Sequence, residues 1–190
     1  QNAAFGSEAL KANTTASNNT AIGRAALQAN TTGALNTAVG ASALTTNTTG
    51  GNNVAMGFAA LQLSTTSSNN TALGYAALNA NTTGANNTAV GKTALNTTTT
   101  EDNNTAVGFQ SLYTLNGGAD NTAMGHNSLF NATTAGNNVA IGKSAMENVT
   151  SGSNNVAIGK QALDANTTAD YNTAVGHAAL GANTTGGDNT

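Results

Sequence analysis

The chain has 190 residues, a net charge of −3, 7% charged and 4% aromatic residues, and no Pro, Cys or Trp. Soluble domains usually carry about 25% charged residues, so a conventional core of aromatic and aliphatic side chains is excluded, as are disulfides and thiolate metal sites. The basic residues Lys11, Arg24, Lys92, Lys143 and Lys160 are scattered along the sequence, which excludes a nucleic-acid footprint, and no apolar run approaches the ~18 residues that span a bilayer.

The chain is an internal repeat of period 17 with no insertion or deletion. Eleven coils cover residues 1–17, 18–34, 35–51, 52–68, 69–85, 86–102, 103–119, 120–136, 137–153, 154–170 and 171–187, and a twelfth begins at 188. The consensus is N-N-T-A-V-G-x-x-A-L-x-A-N-T-T-G-x, and its positions are numbered here as slots 1 to 17. The opening, Gln1-Asn2-Ala3-Ala4-Phe5-Gly6, is already inside a repeat and does not read as a signal peptide. Residues 1–190 are expected to be one repeat domain, a segment of a longer array.

Within each coil the first predicted element is a short strand over slots 2 to 6. Slot 2 is Asn in every coil: Asn2, Asn19, Asn36, Asn53, Asn70, Asn87, Asn104, Asn121, Asn138, Asn155 and Asn172. Slot 4 is always Ala and slot 5 always apolar. Slot 6 is always Gly: Gly6, Gly23, Gly40, Gly57, Gly74, Gly91, Gly108, Gly125, Gly142, Gly159 and Gly176. Strand alternation puts slots 3 and 5 on one face and slots 4 and 6 on the other. A second short strand is predicted over slots 8 to 11, where slot 10 is Leu except for Met146. The Asn-Thr-Thr-Gly run that follows has turn chemistry. A helix fits poorly, because the Gly and Asn-Thr-Thr segments leave about six residues per repeat for it, against the ~12–15 that make a helix worthwhile.

The expected fold is therefore all-β: a parallel β-solenoid with 17 residues per coil. Stacking turns slot 2 into a column whose amides bond along the axis, as in other Asn ladders. It turns slots 5 and 10 into two apolar columns forming the core. That core is thin, so burial between chains is expected to add to it. The small Ala and Gly residues of slots 4 and 6 would let neighbouring chains approach, which predicts a homotrimer packed around those columns.

Asn155-Val156-Ala157-Ile158-Gly159 and Asn138-Val139-Ala140-Ile141-Gly142 resemble the core motif of the YadA-like head of trimeric autotransporter adhesins. The resemblance covers every coil as N-[TVA]-A-[apolar]-G; the period and the A-L-x-A-N-T-T half depart from it and look like repeats of bacterial and phage tail-fibre-like proteins. It implies a trimeric left-handed β-roll. It also implies an extracellular fibre, displayed on a bacterial outer membrane or a virion tail, that works by rigid projection and repeated surface. Implied partners are further copies of the chain and a host glycan, matrix protein or cell surface.

No residue set points to catalysis, a metal or a cofactor. His126 and His177 share slot 7 three coils apart, roughly 14 Å, too far to share a metal. Glu8, Glu101, Asp102, Asp120, Glu147, Asp164, Asp170 and Asp188 show no Asp-x-Asp calcium pattern. Gly91-Lys92-Thr93 and Gly142-Lys143-Ser144 lack the upstream Gly spacing of a phosphate loop. Phe58 and Tyr75 in slot 7, and Tyr113 and Phe130 in slot 11 with Phe109 close by, are candidates for a surface-binding patch. Coil 7 also departs from the turn pattern at Leu115-Asn116-Gly117-Gly118. The Asn-Thr-Thr sequons at Asn13, Asn30, Asn47, Asn81, Asn166 and Asn183 are what the repeat requires, whatever their glycosylation potential. Two further readings stay open: an ice-binding solenoid using the Thr columns of slots 14 and 15, and a filament subunit stacking end to end.

Overall fold

A computed structural model describes all of residues 1–190. It is a β-solenoid with one three-residue strand per coil. The strands are β1 (Ala3–Phe5), β2 (Thr20–Ile22), β3 (Thr37–Val39), β4 (Val54–Met56), β5 (Thr71–Leu73), β6 (Thr88–Val90), β7 (Thr105–Val107), β8 (Thr122–Met124), β9 (Val139–Ile141), β10 (Val156–Ile158) and β11 (Thr173–Val175). They form one parallel sheet in chain order. Register advances one repeat per strand, so Thr71, Ala72 and Leu73 pair with Thr88, Ala89 and Val90. Branched Thr or Val at slot 3 and the apolar side chain at slot 5 suit a pleated strand. Gly at slot 6, with φ between 127° and 137°, bends the chain and ends it.

The sheet faces the opposite way from the expectation. The Ala of slot 4 is the interior residue, with Ala21 through Ala157 fully buried, and slot 5 looks outward. The Ala4, Ala9 and Leu10 columns interlock in a single cluster of 31 buried apolar residues. Leu from the far wall fills the space in front of the sheet, so the sheet wall contributes only a methyl group. A trimer interface around slot 4 is thereby overturned, because that column is enclosed within its own chain.

The second strand is also absent. Slots 7 to 12 are a run of turns. Slots 1, 8 and 10 adopt positive φ in coil after coil, as at Asn69 (61°), Ala76 (50°) and Leu78 (50°). A strand sends neighbours to opposite faces, yet Ala77 and Leu78 are adjacent and both fully buried. The left-handed residues turn both inward. Left-handed Leu costs roughly 1–2 kcal/mol; burying it returns roughly 1.5–3 kcal/mol.

Two further interior columns complete the coil. Slot 13 is buried and carries Asn30, Asn47, Ser64, Asn81, Thr98, Leu115, Ala132, Val149 and Asn166. Where it is Asn, the amide donates back across the turn, as Asn81 Nδ2 does to Gly84 O at 2.9 Å. Slot 16 is Gly, Ala or Ser in every coil but one, where it is Glu101.

Candidate functional site

The interior columns are structural. Each slot-2 Asn replaces a backbone carbonyl in the ladder. Asn70 Oδ1 accepts the backbone N–H of Asn87 at 2.9 Å, and Asn70 Nδ2 donates to Gly84 O at 2.9 Å. The same pair of bonds recurs at Asn36 and Asn138. The expected column of axial bonds is present, although its principal bond runs from backbone to side chain. The Gly6 column is equally structural: a Cβ on Gly91 would stand 2.4 Å from Gly108 O. The sequon residues Asn30, Asn47, Asn81 and Asn166 are buried turn closers.

Glu101 is 7% exposed. In ordinary coils the slot-14 and slot-15 amides donate to the next coil, as Thr65 and Thr66 both do to Thr82 O. Below coil 6 lies the altered turn Leu115-Asn116-Gly117-Gly118. There the amides of Thr99 and Thr100 turn instead to Glu101 Oε2 at 2.8 and 2.9 Å. The carboxylate thus serves as the acceptor for two otherwise orphaned donors. Glu101→Ala is expected to cost about 1–3 kcal/mol, read as a lower urea midpoint with an unchanged slope.

The outer surface carries the features that could act on another molecule. Slot 5 presents Phe5, Ile22, Val39, Met56, Leu73, Val90, Val107, Met124, Ile141, Ile158 and Val175 as one apolar line along the sheet, with no polar interruption. Phe5, Ile22, Met56, Met124, Ile158 and Val175 are exposed and the rest half-buried. Thr and Val of slot 3 run beside it.

The proposed aromatic patch resolves into two. Phe58 (51% exposed) and Tyr75 (53%) stack at 5.4 Å and 16°. Lys92 Nζ lies 5.8 Å from the Tyr75 ring centre and 5.7 Å from that of Phe109, and Phe109 stacks on His126 at 5.3 Å. Tyr113 and Phe130 form a separate stack at 5.3 Å and 9°. Phe109 therefore belongs with slot 7, through Lys92, and not with Tyr113. Register decides this, because coil-to-coil neighbours sit closer than residues spread around one coil.

The slot-14 threonines are engaged along the axis: Thr31 Oγ1 donates to Thr48 O and Thr82 Oγ1 to Thr99 O, both at 2.9 Å. Around Thr133, Thr150 and Thr167 they line a shallow groove with Thr114, Asn131, Asn148 and Ala165. The carboxylates do not gather; no three His, Asp or Glu side chains come together. Glu147 and Asp164 are neighbours in slot 11, and burial first, then the Glu147 charge, raises the Asp164 carboxyl above its ordinary value. No helix is long and apolar enough to cross a membrane.

No protein-family model, curated protein or solved structure matches the chain.

Proposed function

We propose that this chain is a structural and adhesive fibre segment in which three copies pack side by side through the slot-5 line. The observation that carries the reading is that line itself. Nothing inside the coil requires an apolar residue at slot 5, since the side chain points outward. Eleven consecutive coils nevertheless supply one. Burying these half-exposed side chains between chains is worth on the order of 10 kcal/mol per chain, as much as the whole stability of an ordinary domain. Extended apolar surface of this kind marks an interaction site.

The number three comes from the resemblance of N-[TVA]-A-[apolar]-G to adhesin heads, as do the extracellular setting and display on a bacterial surface or virion. In this reading the chain is no enzyme. It projects as a rigid rod of roughly 50 Å and presents the same surface to a glycan, matrix protein or cell at each coil.

Light scattering is expected to give a mass about three times 18.5 kDa. Val107→Lys with Ile141→Lys is expected to reduce it to the monomer mass while leaving the circular dichroism spectrum intact. A wild-type chain that is monomeric at tens of micromolar would remove the side-by-side reading.

A further inference from the structure

Scattered in the sequence, the cations are aligned in the fold. Arg24, Lys92, Lys143 and Lys160 all stand in slot 7, and so do both histidines. Not one of the eight carboxylates does; they occupy slots 1, 8, 11, 16 and 17. A chain with net charge −3 has sorted nearly all its positive groups onto one line.

That line is built, not merely coincident. Backbone bonds hold slot 7 in continuous register: Thr93 donates to Tyr75 O, Gln110 to Lys92 O, Ser144 to His126 O and Ala178 to Lys160 O. Phe58, Tyr75, Lys92, Phe109 and His126 form one unbroken stack over five coils. Lys143, Lys160 and His177 extend it, all exposed. None of these groups has an acidic partner, the one ion pair of the molecule being Lys11 with Glu8. Like charges in neighbouring coils, as at Lys143 and Lys160, repel, and no carboxylate within the chain offsets them.

The stacking selects the ligand. The rings lie face to face along the axis, so the faces within the stack are covered by one another and by Lys92, and only the end faces of Phe58 and His126 have no ring against them. Nucleic-acid bases use ring faces to bind, and so do the apolar faces of neutral sugars. What the rings show outward is their edge, the positive part of the quadrupole. The whole ridge is therefore electropositive, with a step of about 4.8 Å over a length of roughly 34 Å. Its complement is an extended polymer with a regular negative charge, one per pyranose ring, each ring about as long as a coil is high.

We propose that the slot-7 ridge from Phe58 to His177 binds a linear acidic polysaccharide, uronate or sulfate-bearing, laid along the rod axis. This deepens the adhesive reading by naming its ligand class, and it holds for one chain whether or not three associate.

The test is isothermal titration of the chain with a defined oligogalacturonate and with a heparin oligosaccharide. Dextran, a dT20 oligonucleotide and inorganic polyphosphate serve as comparisons, and light scattering is run on the same samples. Expected are binding of at least one acidic polysaccharide, none of dextran, and an affinity that falls about tenfold or more between 50 and 200 mM salt. The double variant Lys143→Gln, Lys160→Gln should lose at least tenfold, and Lys11→Gln, which lies off the ridge, should lose nothing. Failure to bind either polysaccharide at low salt overturns the proposal, as does binding that survives the double variant. Tighter binding of dT20 or polyphosphate overturns the ligand class. A trimer that binds neither polysaccharide sinks this inference and leaves the fibre reading standing; a monomer that binds does the reverse.

Discussion

Asn70→Ala is expected to destabilise the rod by about 2–4 kcal/mol. The substitution removes three side-chain bonds at once: the backbone N–H of Asn87 is left without its acceptor, Ser67 Oγ loses a donor, and Gly84 O keeps only the Asn81 amide. Each buried group left unpaired costs about 1–3 kcal/mol, and Ala is too small to close the space. Asn69→Gly, one residue upstream, is the control. Asn69 is exposed, with φ at 61°, a conformation Gly adopts freely, so its melting temperature should stay where it is. Thermal unfolding by circular dichroism, at one fixed protein concentration, distinguishes the two. Equal losses would mean that the Asn column is not what joins the coils.

Gly91→Ala should be worse still. Its φ of 132° is one that side-chain-bearing residues avoid, a strain of about 1–3 kcal/mol. Its Cβ would also stand 2.4 Å from the oxygen and 2.7 Å from the carbon of the Gly108 carbonyl, both backbone atoms. The neighbouring coil cannot yield without breaking register. The sum is expected to exceed about 4 kcal/mol, in the range reserved for severe core lesions. Gly176→Ala separates the two contributions: φ is 128°, but the nearest atom is the Ala179 Cβ at 3.9 Å. Only the backbone strain should appear there. If both variants lose the same amount, the close approach between coils contributes nothing.

The period and its consequence, parallel in-register stacking, could be read from the sequence, because an unvarying length of 17 residues admits little else. So could the ladder of Asn side chains. Which face of the strand points inward could not be read from hydrophobicity, since transfer free energy alone favours burying Ile22 or Met56 over Ala21 or Ala55. The informative signal was variance. Slot 5 accepts Phe, Ile, Val, Met and Leu, as an outward column can, whereas slot 4 accepts only Ala, as a column pressed against Leu78 and its counterparts must. The left-handed conformation of Leu78 left no trace, because Leu carries no preference for it; burial imposes it from outside the local sequence. The burial of slot 13 left no trace for a related reason. Asn81 has turn chemistry and does close a turn, but it does so from the interior. The line of cations needed only the period to be seen, yet its meaning required the ring stacking that orders it.

The bonds between coils run along the rod, so tension applied along its axis would pull every coil interface in series while the bonds within one interface share the load. Breaking force is then set by the weakest interface and not by the number of coils. Length can grow by whole repeats with no loss of strength. The interface between coils 6 and 7 is the one where two amides are turned aside to Glu101 and do not bridge to the neighbour. A load along the axis would meet fewer bonds there than at the interfaces on either side, and the carboxylate buried beside one irregular turn would mark the place where the stack opens first.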